Sequence, residues 1–230
     1  MLVKMKSSIS AILSFNGGYV DAAGFLALQG LFTAHVTGNF VTLGATLAFG
    51  TTGAVAKLLA LPTFCLVVLV ATILCRANTR WGKFTLRRML CVQCVLLVAG
   101  AALAIRLGPF ADGDSGAAIL TGMTLVSAMA IQNTASRIHL YGAPPTTLMT
   151  GTTTQIMIDL AGMITGVPEE ERSMARARLK RMVASLAAFA LGCAAAALLV
   201  LHVGAWCLAA APLVVAVAIA GIKSSPEVAG

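Results

Sequence analysis

Gly18-Tyr-Val-Asp-Ala-Ala-Gly-Phe-Leu-Ala-Leu-Gln-Gly30, continued by Leu31-Phe-Thr-Ala-His-Val-Thr-Gly-Asn-Phe40, is the stretch on which the fold turns. An aspartate stands in the middle of an apolar run, and His35, Thr37, Gly38 and Asn39 cluster where a second apolar run begins. In hydrocarbon such groups are costly unless they face a partner or a wet space. The rest of the chain says whether hydrocarbon is the right surrounding.

It is. Of 230 residues, 59% are hydrophobic and 10% charged, with a mean hydropathy of +0.93. A soluble surface needs about a quarter charged residues. Runs such as Leu58 to Cys75 and Val183 to Leu201 lack the period-two alternation of a membrane β-barrel, so helices must satisfy the backbone in the bilayer. The net charge of +8 is explained by basic cytoplasmic segments rather than by nucleic acid. Six cysteines fall in or beside apolar runs and read as reduced, small buried hydrophobes. Cys91-Val-Gln-Cys94 has no second pair to complete a metal site, and no cofactor motif is present. The basic start, Met1 to Lys6, passes into an apolar run that continues to Gly30, which reads as a first span rather than a signal peptide.

The apolar segments are Ser8 to Gly30, Thr37 to Phe49, Leu58 to Cys75, Met89 to Leu107, Ala117 to Ile138, Thr150 to Thr165, Val183 to His202 and Gly204 to Ile222. A span needs about 20 residues, and Thr37 to Phe49 and Thr150 to Thr165 fall short. If these two enter and leave on one side, the basic stretches 76–88 and 166–182 both lie in the cytoplasm with both termini, as the positive-inside rule requires. The expectation is an all-α polytopic membrane protein. It would form one domain over 1–230, with six spans and two re-entrant half-helices.

Asp21 to Gly30 echoes Asn133 to Gly142, with Ala23 on Ala135, Leu28 on Leu140 and Asp21 on Asn133. With one extra residue, Thr37-Gly38-Asn39 falls on Thr150-Gly151-Thr152. Two repeats, about 8–107 and 117–222, would then be inverted, an arrangement that places solute sites near the bilayer midplane.

In this frame Asp21 is an ion or solute site, or else a tertiary cap on the amides of the neighbouring half-helix. Asn133, next to Gln132, would make similar hydrogen bonds without charge. The Thr-Gly pairs suit helix starts, where a hydroxyl caps free amides, a glycine admits a close approach and the dipole favours an anion or carbonyl. His35 would titrate as a gate, or be a satisfied hydrogen-bonding group. Arg137 would snorkel, or pair with a substrate anion or Asp159; Gln155 and Asp159 extend the polar side of the second half-helix. Pro168 to Arg181, acids first and bases last, reads as a short interfacial helix.

The pattern Gly18-Tyr-Val-Asp-Ala, Phe25-Leu-Ala-Leu and Gly30-Leu-Phe-Thr-Ala-His-Val-Thr-Gly-Asn-Phe-Val-Thr-Leu-Gly44, with Gln132-Asn-Thr-Ala135 and Thr150-Gly151, resembles the YoaK-type family of bacterial membrane proteins. Thr134 stands where that pattern has Ala. The resemblance implies an inner-membrane protein of about this length and carries over no substrate or catalytic residue. The residues themselves point to a transporter or channel for a small solute or ion. Its site would hold Asp21, His35, Thr37, Gly38, Asn39, Gln132, Asn133, Thr150, Gly151 and Thr152. Its partners would be the bilayer and the solute, with a homo-oligomer compatible and no nucleic acid. A non-transporting scaffold is the rival, and an enzyme is not expected.

Overall fold

The structure, a computed structural model, describes residues 2–77, 85–166 and 168–222. Most of the first basic stretch, residues 78–84, and Lys223 lie outside the described residues. The described chain is all helix: α1 (Leu2–Ala27), α2 (Gly38–Phe49), α3 (Ala54–Arg76), α4 (Leu86–Leu107), α5 (Gly116–His139), α6 (Met149–Thr165), α7 (Glu169–Val203), a 3-10 segment (Gly204–Ala209) and α8 (Ala210–Ala220).

Ala54–Arg76, Leu86–Leu107, Gly116–His139 and the continuous stretch Glu169–Ala220 are long and apolar enough to cross a membrane. Helix α1 is longer than three of these, but Ser7, Ser8, Ser10, Ser14, Asn16 and Asp21 dilute its hydropathy. The expected short interfacial helix is instead the start of α7, whose first turn carries Glu169, Glu170 and Glu171. At about 1.5 Å per residue α7 is about 52 Å long, well beyond the bilayer core. It ends at Gly204, where φ is +56°.

Helix α5 lies at the centre against α3 and α4, and its Leu125, Val126, Ala128, Met129 and Ala135 are buried. Helix α1 packs mainly on α7 through a crossing that admits no side chain. A Cβ on Gly18 would stand 2.2 Å from Phe189 O, and one on Gly192 would stand 2.1 Å from Phe15 O. Small residues let helix backbones touch in this way in membranes, where van der Waals contact drives association. Outward faces carry Leu66, Leu69, Ile73, Val95, Leu198 and Leu201, as lipid contact requires. Cys65 and Cys91 are exposed on this apolar exterior, and Cys207 is buried. The expectation of uniformly buried cysteines fails because in a membrane protein an apolar side chain is as well placed facing outward.

The connections sort into two ends. At one end Lys57 Nζ donates to Gln29 O at 2.8 Å, Gln29 Nε2 donates to Phe110 O at 2.8 Å, and Asp114 accepts from the amides of Gly53 and Ala56 at 3.0 Å, capping α3 from outside. At the other, Lys6, Ser7, Tyr141, Gly142 and Arg181 gather around one small cavity.

Candidate functional site

After Gly30 the chain folds back along α1, and Asp21 fixes it there. Asp21 Oδ1 accepts from the amides of Thr33 (2.8 Å), Ala34 (2.7 Å) and His35 (3.4 Å), while Oδ2 lies 2.6 Å from His35 Nδ1. With Oδ2 as acceptor, Nδ1 donates, and Nε2 is the ring nitrogen without a hydrogen bond among the described residues. Asp21 is 4% exposed. The tertiary-cap geometry is therefore present, directed at the connection before α2 rather than at the first turn of α2 itself.

Thr37 does stand just before α2, yet its side chain makes no capping hydrogen bond. Asn39 organises this turn instead. Its Nδ2 donates to Phe32 O at 2.8 Å and its Oδ1 accepts from Phe32 N at 2.9 Å. An amide side chain offers donor and acceptor together, which a threonine hydroxyl cannot match against a peptide unit. Gly38 packs against the ring of Phe32.

The second connection is held by hydrogen bonds of its own. Thr147 Oγ1 donates to Asn133 Oδ1 at 2.7 Å, fourteen residues apart, the separation that also links Asp21 to His35. Gln132 accepts at Oε1 from Asn16 Nδ2 (2.9 Å) and Gln93 Nε2 (2.7 Å), and donates at Nε2 to Leu13 O (2.8 Å). All three amides are buried, and Asn16 Oδ1 and Gln93 Oε1 lack a partner among the described residues. Asn16 and Gln93 are not among the site residues expected from the sequence, yet each is a polar residue inside an apolar run, the same signal that marks Asp21.

Helix α6 starts at Met149 after Leu148, so Thr150 and Gly151 lie within its first turn and not before it. Thr152 Oγ1 donates to Leu148 O at 3.1 Å. Among apolar neighbours a threonine hydroxyl satisfies itself on the carbonyl one turn back, and no side chain caps this helix.

A cavity of about 460 Å³ opens at this helix start. His35, Arg137, Thr150, Gly151, Thr152 and Gln155 form its polar wall, and Pro145, Leu148, Met149 and Met182 its apolar one. Of the expected site residues, His35, Thr150, Gly151 and Thr152 are brought together here. Asp21, Thr37, Gly38, Asn39, Gln132 and Asn133 are not in its wall; Asp21 reaches it through His35. Gln155 also lines a second cavity of about 320 Å³, with Asp159, Glu171 and Arg178. Asp159 is bound there by Arg178 (Nε to Oδ2, 2.8 Å) and by Gln155 (2.8 Å), so the acid considered as a partner for Arg137 is taken by another arginine. No group of three His, Cys, Asp or Glu side chains placed to hold a metal occurs among the described residues.

A family model described as "Protein of unknown function (DUF1275)" matches residues 9–221. The chain is 30% identical over 164 residues, 69% of each chain, to UPF0700 transmembrane protein YoaK of Bacillus subtilis (strain 168). No solved structure matches. The apolar helices and these two matches together make the chain a membrane protein that belongs to the DUF1275 family.

Proposed function

We propose that this protein is a bacterial inner-membrane transporter or channel for a small solute, with its pathway between two inverted halves. One observation carries the reading: His35, from the connection before α2, and Thr150 to Thr152, from the first turn of α6, share one cavity wall. A helix start, the connection that leads into a second one and a polar space between them are parts from which membrane proteins build solute sites.

Other contacts support the path of the chain. Helix α2, about 18 Å long, ends beside Gly53, at the end where α1 stops and Gln29 meets Lys57. We read α2 as entering and leaving on that side. Helix α6 returns to the end where α5 stopped, where Arg172 binds Met163 O. The six spans are then α1, α3, α4, α5, the part of α7 beyond about residue 182, and the 3-10 segment with α8. The start of α1, the end of α8 and the basic start of α7 would then face the cytoplasm, in keeping with the positive-inside rule. The fourteen-residue contacts of Asp21 and Asn133 are in keeping with two related halves, and Gln155 links the cavity at the start of α6 to the one beside Arg178.

The test is flux into proteoliposomes of purified protein across neutral, cationic and anionic small solutes. Flux above protein-free vesicles is expected for at least one class, and Asp21→Asn should abolish it or its pH dependence while the protein stays abundant and monodisperse. Absence of flux for every class overturns the reading. Cysteine labelling checks the topology: Glu170→Cys should react from the cytoplasm and Asp112→Cys from outside, and the reverse pattern breaks the six-span arrangement. The rival scaffold reading draws on the full use of Asp21 within the fold, Oδ1 on backbone amides and Oδ2 on His35; it expects no flux and an unchanged partner set in Asp21→Asn.

A further inference from the structure

Resting on that reading, we propose that the cavity at the start of α6 binds a small organic carboxylate, held by Arg137, His35 and the amides of Thr150 and Gly151. Three independent features of its wall favour negative charge. Arg137 makes no ion pair among the described residues, and Asp159 is bound by Arg178 and Gln155. The first turn of α6 has no side-chain cap, so its free amides and positive dipole end are open to an anion. His35, turned by Asp21 so that Nδ1 is occupied, has Nε2 left for a ligand, and Nε2 donates to a carboxylate when the ring carries its second proton beside Asp21. No acidic side chain lines the cavity.

The shape of the charge narrows the class. A planar guanidinium binds a carboxylate through paired N–H groups, and here it works from one side only. Leu148, Met149 and Met182 form an apolar wall that would cover a short hydrocarbon tail and would leave the remaining oxygens of a phosphate without donors. The volume of about 460 Å³ lies within the usual range for small-molecule sites.

The experiment is calorimetric titration of the purified full-length protein in detergent with sodium butyrate, butyramide, chloride and inorganic phosphate at matched ionic strength. Saturable butyrate binding is expected, with no binding of the neutral amide and weaker binding of both inorganic anions. Arg137→Gln should weaken butyrate binding about tenfold or more, the loss of a charge-assisted contact, with the ligand-free melting temperature unchanged because the side chain is exposed. Arg137→Lys should recover part of the affinity. No saturable butyrate binding, equal binding to Arg137→Gln, or tighter binding of chloride or phosphate overturns the proposal. The flux assay separates the two readings. Butyrate binding without flux of any solute removes the transporter and keeps the carboxylate site, whereas flux of neutral or cationic solutes without butyrate binding does the reverse.

Discussion

His35 Nδ1 lies 2.6 Å from Asp21 Oδ2, so a ring in the cavity wall is held from behind by a carboxylate that is itself buried. The same carboxylate binds the amides of Thr33 and Ala34. Position and chemistry of the ring thus depend on one residue fourteen places earlier.

Asp21→Ala and Asp21→Asn should separate in stability. Alanine strands two short, buried amide bonds, and at about 1–3 kcal/mol for each unsatisfied group the cost is about 3 kcal/mol. Asparagine keeps an acceptor for the amides and loses mainly the charge assistance, about 1 kcal/mol. Thermal unfolding of the purified proteins should rank wild type above Asp21→Asn above Asp21→Ala; an Asp21→Ala protein that melts with the wild type refutes the capping role.

Around α2 the weight should fall on Asn39. Asn39→Ala breaks both bonds to the Phe32 peptide in a buried setting and should cost about 2–4 kcal/mol. Thr37→Ala removes an exposed side chain that caps nothing and should stay within about 0.5 kcal/mol. Melting curves of the two variants check this directly, and a larger loss for Thr37→Ala contradicts the geometry.

The buried amide cluster predicts an asymmetry. Gln132→Leu leaves the Nδ2 of Asn16 and the Nε2 of Gln93 without their shared acceptor, costing about 2–4 kcal/mol. Gln93→Leu removes one donor together with a carbonyl oxygen that has no partner, so its cost should be about 1 kcal/mol or less. Fluorescence-detected size-exclusion melting of both variants tests the order; equal losses would mean that Gln132 is not the hub.

Glycines should divide by contact. Gly18→Ala must push α1 off Phe189 O and should cost more than about 2 kcal/mol or prevent assembly. Gly44→Ala meets nothing within 4 Å and, in a helix interior, should be neutral or stabilising by up to about 1 kcal/mol. Yield and melting temperature read both, and an unperturbed Gly18→Ala protein would refute the close α1–α7 crossing.

Composition and hydropathy alone determined that this chain is an all-helical membrane protein, because the cost of bare backbone in lipid leaves a run such as Leu58 to Cys75 no other state. They also located most helices to within a few residues, and placed Asp21, His35 and the Thr-Gly pairs as polar points that lipid would not tolerate unpartnered. What those points bind was decided by tertiary structure. Asp21 takes the amides of Thr33 to His35, Asn39 takes Phe32 in place of the expected Thr37 cap, Asp159 takes Arg178 rather than Arg137, and Gln132 gathers Asn16 and Gln93 from two other helices. The physical reason is that hydropathy is a sum along one chain, whereas a hydrogen bond in a low-dielectric interior is a matter of a few tenths of an ångström between atoms on separate helices, fixed only once α1 has closed on α7 and α5 has settled between α3 and α4.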